Sequence, residues 1–247
     1  MTDFLVAVGG SGQHVALAYV DLLALATGFF SQDVISPAKI YLIDADASSE
    51  SKESTAWKFC RDQVDRLSKN IQLSSRYNLF AELLPTEPVI KPHPETDNFN
   101  KFRFGELLNM YESDLLFGKS QLDVKYSNGY YGHPAVAASI FAREITNLQT
   151  SNASFADLIS QWKKSQNAKI CVTGSLIGGT GAGCIPAFVT ELNNQKKEGY
   201  KGQIYSVILL PWFTLENSDT RNSKINARAA SAMLHSGRSI SDEAHVT

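Results

Sequence analysis

Thr173–Leu192 reads TGSLIGGTGAGCIPAFVTEL and holds five glycines, Gly174, Gly178, Gly179, Gly181 and Gly183, with Thr180 set among the last four. The residues before it, AKICVTG from Ala168 to Gly174, are mostly apolar, as a buried strand requires. A strand thus ends at Gly174, the loop SLIGGTGAG follows, and a helix is expected from about Cys184 or Ile185. Such a turn exposes unpaired backbone N–H groups and the positive end of a helix dipole, which together make an anion site. Glycine lets backbone approach a phosphate without a side chain in the way, and Thr180 adds a hydroxyl donor. The same composition also serves where two elements pack tightly, and both uses stay open on this stretch alone.

The arrangement recurs at the start of the chain. Phe4–Val20, FLVAVGGSGQHVALAYV, is an apolar strand followed by Gly9, Gly10, Ser11 and Gly12 and then by a helical pattern. Gly10-x-Gly12 could open a dinucleotide fingerprint, but Val15 stands where its third glycine belongs. Neither turn is followed by the Lys of a G-x-x-x-x-G-K-[ST] phosphate loop, which excludes that class of nucleotide hydrolase. A third loop, SNGYYGHPAVAASIFAREI from Ser127 to Ile145, places Gly129, Gly132 and Pro134 before a helix rich in alanine. Proline is favoured at a helix start, so this is a helix entry or a further ligand loop. A fourth, IYLIDADASSE from Ile40 to Glu50, carries Asp44 and Asp46 past the end of a strand. Open α/β sheets bind ligands there, and either carboxylate could orient a metal-bound water or a ribose; Asp46 or Ser48 could equally cap the next helix.

Four apolar runs, Phe4–Val8, Lys39–Ile43, Lys169–Thr173 and Gln203–Leu210, read as strands of a parallel sheet with helices on both faces. Helical patterns lie between them: Gln13–Thr27, with Val15, Tyr19, Leu22, Leu23 and Ala26 on one face, then Pro134–Leu148, Phe155–Lys164, Ile185–Gln195 and Arg221–His235. Alternating strand and helix predicts a doubly wound, mainly parallel α/β sheet. Residues 48–128 are too long for a simple connection and are read as an insertion, with helical pieces around Thr55–Leu67 and Phe104–Leu116. Between these, LLPTEPVIKPHPETDNF carries Pro85, Pro88, Pro92 and Pro94 and predicts an extended loop.

A formal net charge of −2 over 247 residues advertises no nucleic-acid or acidic-membrane partner. Gly9, Gly10, Gly12 and Asp21 interrupt the apolar amino-terminal region, so no run approaches the ~20 residues of a membrane span. Cys60, Cys171 and Cys184 are too few and scattered for a disulfide framework and read as reduced thiols of a cytosolic protein. The five histidines, His14, His93, His133, His235 and His245, have no metal-ligand spacing, so no zinc site and no direct metal ligand are expected.

The order of these loops resembles the tubulin/FtsZ family of GTPases. That family's signature is G-G-G-T-G-[ST]-G; here Ile177, Gly178, Gly179, Thr180, Gly181, Ala182 and Gly183 occupy it. Gly9, Gly10, Ser11 and Gly12 match its first glycine cluster. FtsZ carries G-A-G-G-N-P-x-x-G before a helix; Gly129, Gly132 and Pro134 match, with His133 in the Asn place and Ala137 in the last Gly place. The stretch LPWFTLEN, Leu210–Asn217, stands where FtsZ has K-P-F-x-F-E-G. The resemblance covers roughly residues 1–236 less the insertion.

The resemblance implies a GTP-binding α/β domain over 1–236, with GTP or GDP across the carboxyl ends of the strands. Gly178, Gly179, Thr180, Gly181, Ala182 and Gly183 would cradle the phosphates. Gly9, Gly10, Ser11, Gly12 and Gln13 would contact them through the first turn. Asp44, Asp46 and Gly132 would face the γ-phosphate and Mg²⁺, the carboxylates acting through water. Glu216 would hold the ribose, with Arg221 as a second ribose or base contact. In the family an acidic loop, G-x-x-N-x-D-x-x-[DE], completes hydrolysis across a subunit interface. The tail 237–247 holds Gly237 and Asp242 at that spacing, but Ile240 replaces the Asn and His245 the last acid. Asp242 is thus a weak catalytic candidate, and a second domain is expected to be absent from this chain. Three functions compete: a GTPase that self-assembles head-to-tail, a nucleotide-sensing module that contacts a partner protein through 48–128, and a Rossmann-type oxidoreductase using NAD or FAD.

Overall fold

The computed structural model describes residues 3–29, 37–45, 55–69, 83–84, 89–92, 129–130, 132–165, 167–197, 201–210 and 220–239. Five strands form one sheet: β1 (Phe4–Val8), β2 (Lys39–Ile43), β3 (Val89–Ile90), β4 (Lys169–Ser175) and β5 (Gln203–Leu209). Their order is β3-β2-β1-β4-β5, and every pairing is parallel. The helices are α1 (Gly9–Phe29), α2 (Thr55–Lys69), α3 (Pro134–Ser151), α4 (Ala153–Lys164), α5 (Gly179–Lys197) and α6 (Thr220–Ser239). The predicted doubly wound α/β class is what the chain adopts.

Alternate strand residues feed two cores, one on each face of the sheet. Phe4, Val6, Val8, Tyr41, Ile43, Ile170 and Val172 pack with Val136 and Ile140 of α3, Trp162 of α4 and Phe188 of α5. On the other face Leu5, Ala7, Ile40 and Leu42 pack with Ala16, Val20 and Leu23 of α1 and Cys60 and Val64 of α2. Burial on both sides explains why β1 is apolar at every position, all five being buried.

Four differences from the sequence reading have physical causes. Both glycine-rich segments are helical rather than loops before a helix: α1 begins at Gly9, not Gln13, and α5 at Gly179, not near Cys184. Glycine has poor helix propensity, but a first turn needs few intrahelical bonds and its neighbours demand a missing side chain. The buried stripe of α1 is Gln13, Ala16, Val20, Leu23 and Thr27, whereas Leu22 is 65% exposed. The helix is apolar nearly all round, so its periodicity does not mark a face. The proline-rich stretch contains β3, an edge strand of two residues, which is where proline-flanked strands are tolerated. Finally, among the described residues β5 is covered on one face only. Its register with β4 places Tyr205, Val207 and Leu209 on the α1 side, where they are 48%, 56% and 42% exposed. The second helical piece expected in the insertion, Phe104–Leu116, lies outside the described residues, as does the tail from residue 240.

The strand order itself locates a crevice. From the central β1 the chain moves outward through β2 to β3, then returns to β4 on the other side of β1 and continues to β5. Connections therefore leave the sheet in opposite directions between β1 and β4. In open parallel sheets that switch point, at the carboxyl ends of the strands, is where ligands bind. Val8 and Gly174, near the ends of β1 and β4, are register partners across it.

Candidate nucleotide site

Both glycine turns lie at this switch point, one following β1 and the other β4. They touch. A Cβ placed on Gly9 would sit 3.4 Å from Thr180 Cβ and 3.5 Å from the amide nitrogen of Gly181. Gly9 has φ +68°, a left-handed conformation that only glycine adopts cheaply, and this turns β1 sharply into α1. The third loop closes on the same place. A Cβ on Gly179 would lie 2.8 Å from Tyr130 Cβ and 3.0 Å from the amide nitrogen of Gly132. Gly132 is also left-handed, at φ +74°, and its carbonyl accepts a hydrogen bond from Asn226 Nδ2 of α6 at 3.2 Å. Three segments far apart in sequence thus meet at one end of the sheet.

Their glycines divide into two kinds. Gly12 is walled by Ala7 and by the Thr173 carbonyl, Gly181 by the Ser175 backbone, and Gly183 by Ala137 and the Pro134 carbonyl of α3. For these, close packing of elements is the reason for glycine. A Cβ on Gly10, Gly132 or Gly178 would meet nothing within 4 Å. These positions border open space beside the turns, and a backbone cradle that accepts a ligand needs its bare positions there.

The first turns supply donors without competing charge. Neither α1 nor α5 has an acidic residue in its first turn. The opening amides of each helix have no intrahelical acceptor, and the dipole concentrates partial positive charge on them. In α5 the Ala182 amide is already taken by the Gly178 carbonyl at 3.2 Å, leaving the Gly179, Thr180 and Gly181 amides nearest the rim. Just before them, Ser175 Oγ accepts from the Ile177 amide at 3.1 Å and fixes the exit from β4. Among the described residues no group of three His, Cys, Asp or Glu side chains could hold a metal ion.

The acidic candidate Asp44 follows β2, 5% exposed, and its backbone amide donates to the Ile90 carbonyl of β3 at 3.2 Å. Its Oδ2 accepts from Gln13 Nε2 at 2.7 Å, and Gln13 is itself only 3% exposed. Burial, followed by the charge of Asp44, pushes the Cys184 thiol of α5 well above its ordinary 9.0, so Asp44 also lies near the second glycine helix. Gln13, expected from sequence among the nucleotide contacts, donates its side-chain amide to Asp44. Tyr130, Ser175 and Asn226, which brace the three loops, were not singled out from sequence, since an isolated tyrosine, serine or asparagine carries no pattern. Asp46, Glu216 and Asp242 lie outside the described residues. The backbone of Arg221 belongs to the first turn of α6, directly after the stretch expected to hold the ribose.

Residues 135–245 match the protein family described as Tubulin like, a span a little under half of the chain. No curated protein matches the chain in sequence. Among solved structures, the GDP-bound monomer of CetZ1 from Haloferax volcanii is 13% identical, with a TM-score of 0.49, over 95% of this chain and 48% of its own. The GTPgS-bound protofilament of CetZ2 from Haloferax volcanii is 13% identical, with a TM-score of 0.40, over 96% of this chain and 59% of its own. The chain spans less than two thirds of either protein. The matched span takes in most of α3, the Gly178–Gly183 turn and α5.

Proposed function

We propose that the chain binds a guanine nucleotide at the β1/β4 switch point, with the phosphates held by first-turn amides of α1 and α5 and by the Gly129–Pro134 loop. The observation that carries this reading is the closeness of the two turns, such that a Cβ added to Gly9 would come within 3.5 Å of Thr180 and Gly181. One phosphate group lying over that junction reaches amides of both helices at once. A dinucleotide fingerprint uses a single glycine turn and leaves the open position at Gly178 of the second without a purpose.

The bare positions Gly10, Gly132 and Gly178 give backbone-only approach, and Thr180 adds a hydroxyl beside them. Amides and helix dipoles can balance much of a polyphosphate's charge without an obligatory Lys or Arg. Mg²⁺, when bound, would neutralise oxygens of the terminal phosphates. Asp46, which follows β2 in sequence, is the carboxylate expected to hold its waters. The tubulin-like match over 135–245 favours guanine over adenine and supports reading the chain as a GTPase that assembles head-to-tail, steps completed in that family by an acidic loop of a neighbouring subunit.

Denaturing the purified protein and identifying what it releases tests the reading directly. GDP or GTP is the expected product, with titration of the emptied protein by GDP and by Mg²⁺ with GTPγS as the quantitative arm. Failure to bind any guanine nucleotide ends the proposal. Sedimentation of the chain with GTPγS but not with GDP is the expected signature of assembly.

A further inference from the structure

We propose that Gln13 and Asp44 form a positioning pair that locks the first glycine turn to the end of β2 from behind the cradle, instead of contacting nucleotide or metal themselves. Nucleotide binding as its readout rests on the reading above, while the pair itself is a feature of the free protein.

The bond is 2.7 Å long, joins residues 31 apart in sequence, and is buried at both ends. Gln13 is one helical turn after Gly9, the residue that touches Thr180, so a shift of the Gln13 side chain moves the point of contact between the two turns. Asp44 is held in turn from behind, its amide bonded to the Ile90 carbonyl of β3 and its charge felt at Cys184 of α5. Asp44 thus ties α1 through its carboxylate to β3 through its backbone amide, with α5 close enough to feel its charge. A side-chain amide bonded to a buried carboxylate is well suited to fixing register, because the bond is directional and stronger away from water. A carboxylate used as an open ligand for a hydrated cation needs its oxygens toward the rim. Here one of them faces Gln13, and only 5% of the residue is exposed.

The test compares Gln13→Met, which keeps the length and removes the donor, with Asp44→Asn, which keeps an oxygen for Gln13 and removes the charge. Gln13→Met is expected to weaken GDP and GTPγS alike by tenfold or more, with the same factor whether or not Mg²⁺ is present. Asp44→Asn is expected to bind both within about threefold of the parent and to keep its response to Mg²⁺. If Asp44→Asn spares GDP but abolishes the Mg²⁺-dependent part of GTPγS binding, Asp44 faces the metal and the pair is overturned. Amide hydrogen exchange on the nucleotide-free protein gives a readout that survives failure of the nucleotide reading. Gln13→Met should speed exchange in both turns, residues 9–12 and 178–183, and Asp44→Asn should not. Unchanged exchange in Gln13→Met overturns the positioning role even if nucleotide binds, and faster exchange supports it even if none does.

Discussion

The two glycine turns look alike in sequence and differ in what their glycines do. In the first, Gly12 lies against the backbone of β1 and the carbonyl of Thr173, while Gly10 is bare. In the second, Gly179, Gly181 and Gly183 are all walled, by Tyr130, by Ser175 and by the opening of α3, and Gly178 alone is bare. The second turn is thus mostly a packing device with one open position. It is wedged between α3 and β4, and α3 and α5 make the most extensive helix contact among the described elements. Glycine richness therefore reports two needs at once, and only coordinates separate them.

Substitutions at walled glycines should produce the largest effects. A Cβ on Gly183 would sit 2.5 Å from both Ala137 Cβ and the Pro134 carbonyl, and one on Gly12 would sit 2.8 Å from the Ala7 carbonyl carbon. Backbone must move to admit either. Gly183→Ala and Gly12→Ala are each expected to cost ~2–3 kcal/mol, the usual price of overpacking. In a chain of this size that lowers Tm by roughly 5–10 °C, measurable by calorimetry with no ligand present. A Gly183→Ala protein that melts with the parent would show that the wall yields and that the division between the two kinds of glycine is unfounded.

The bare positions should behave in the opposite way. Among the described residues, Gly10→Ala and Gly178→Ala meet nothing within 4 Å, and Gly10 lies within a helix, where alanine is favoured by ~0.5–1 kcal/mol. Tm without ligand should hold or rise. Affinity for GDP should fall about tenfold, ~1.4 kcal/mol, because the new methyl stands where a phosphate would approach. If both variants bind nucleotide like the parent, the open space beside the turns is not where the phosphates lie.

A smaller effect is expected at Thr180, which sits between the turns. Thr180→Val preserves shape and removes the hydroxyl, so it should weaken nucleotide binding by ~0.5–1.5 kcal/mol. Thr180→Ser should restore most of that. Equal loss in both variants would assign the residue to packing against Gly9 instead of donation.

The fold was legible because its signals are long-range consequences of burial. Four apolar runs of strand length, separated by helical patterns, leave little besides a parallel sheet, and β1 and β2 run over the residues read from sequence. Helix starts at the glycine turns were not legible, because intrinsic propensity argues against Gly9–Gly12 and Gly179–Gly183 as helix. Tertiary contacts override it there. Three of the brackets around the site, Gln13 with Asp44, Tyr130 with Gly179 and Asn226 with Gly132, depend on strand order. That order follows from the switch between β1 and β4 and is not written in any one segment. The bare face of β5 was missed for a related reason: Gln203–Leu209 is apolar enough to read as doubly covered, yet among the described residues α1 and α2 flank only the other strands on that side.

The cysteines offer the finest test of the contrast, because Cys184 directly follows the walled Gly183. Thiolate is the species that reacts with alkylating reagents, so a raised pKa slows labelling at a fixed pH. Burial and then Asp44 raise Cys184 well above 9.0, and burial followed by Asp21 pushes Cys60 of α2 from 9.0 up to about 12. Cys171 is also raised by burial, but it is only half-buried and therefore accessible. At pH 8 the native protein should label at Cys171 first, with Cys60 and Cys184 protected until it opens. A folded pKa above the unfolded value means that the stabilisation is complete below about pH 9 and is lost as pH rises toward about 12 for Cys60. Protection should fade over that window. If Gly183 is a true wedge, Gly183→Ala should expose Cys184 at pH 8 while leaving Cys60 protected, and Gly178→Ala should expose neither. Labelling of Cys184 at the parent's rate in Gly183→Ala would mean that the turn of α5 tolerates a methyl, and with it that the second glycine segment is kept bare for a ligand along its whole length.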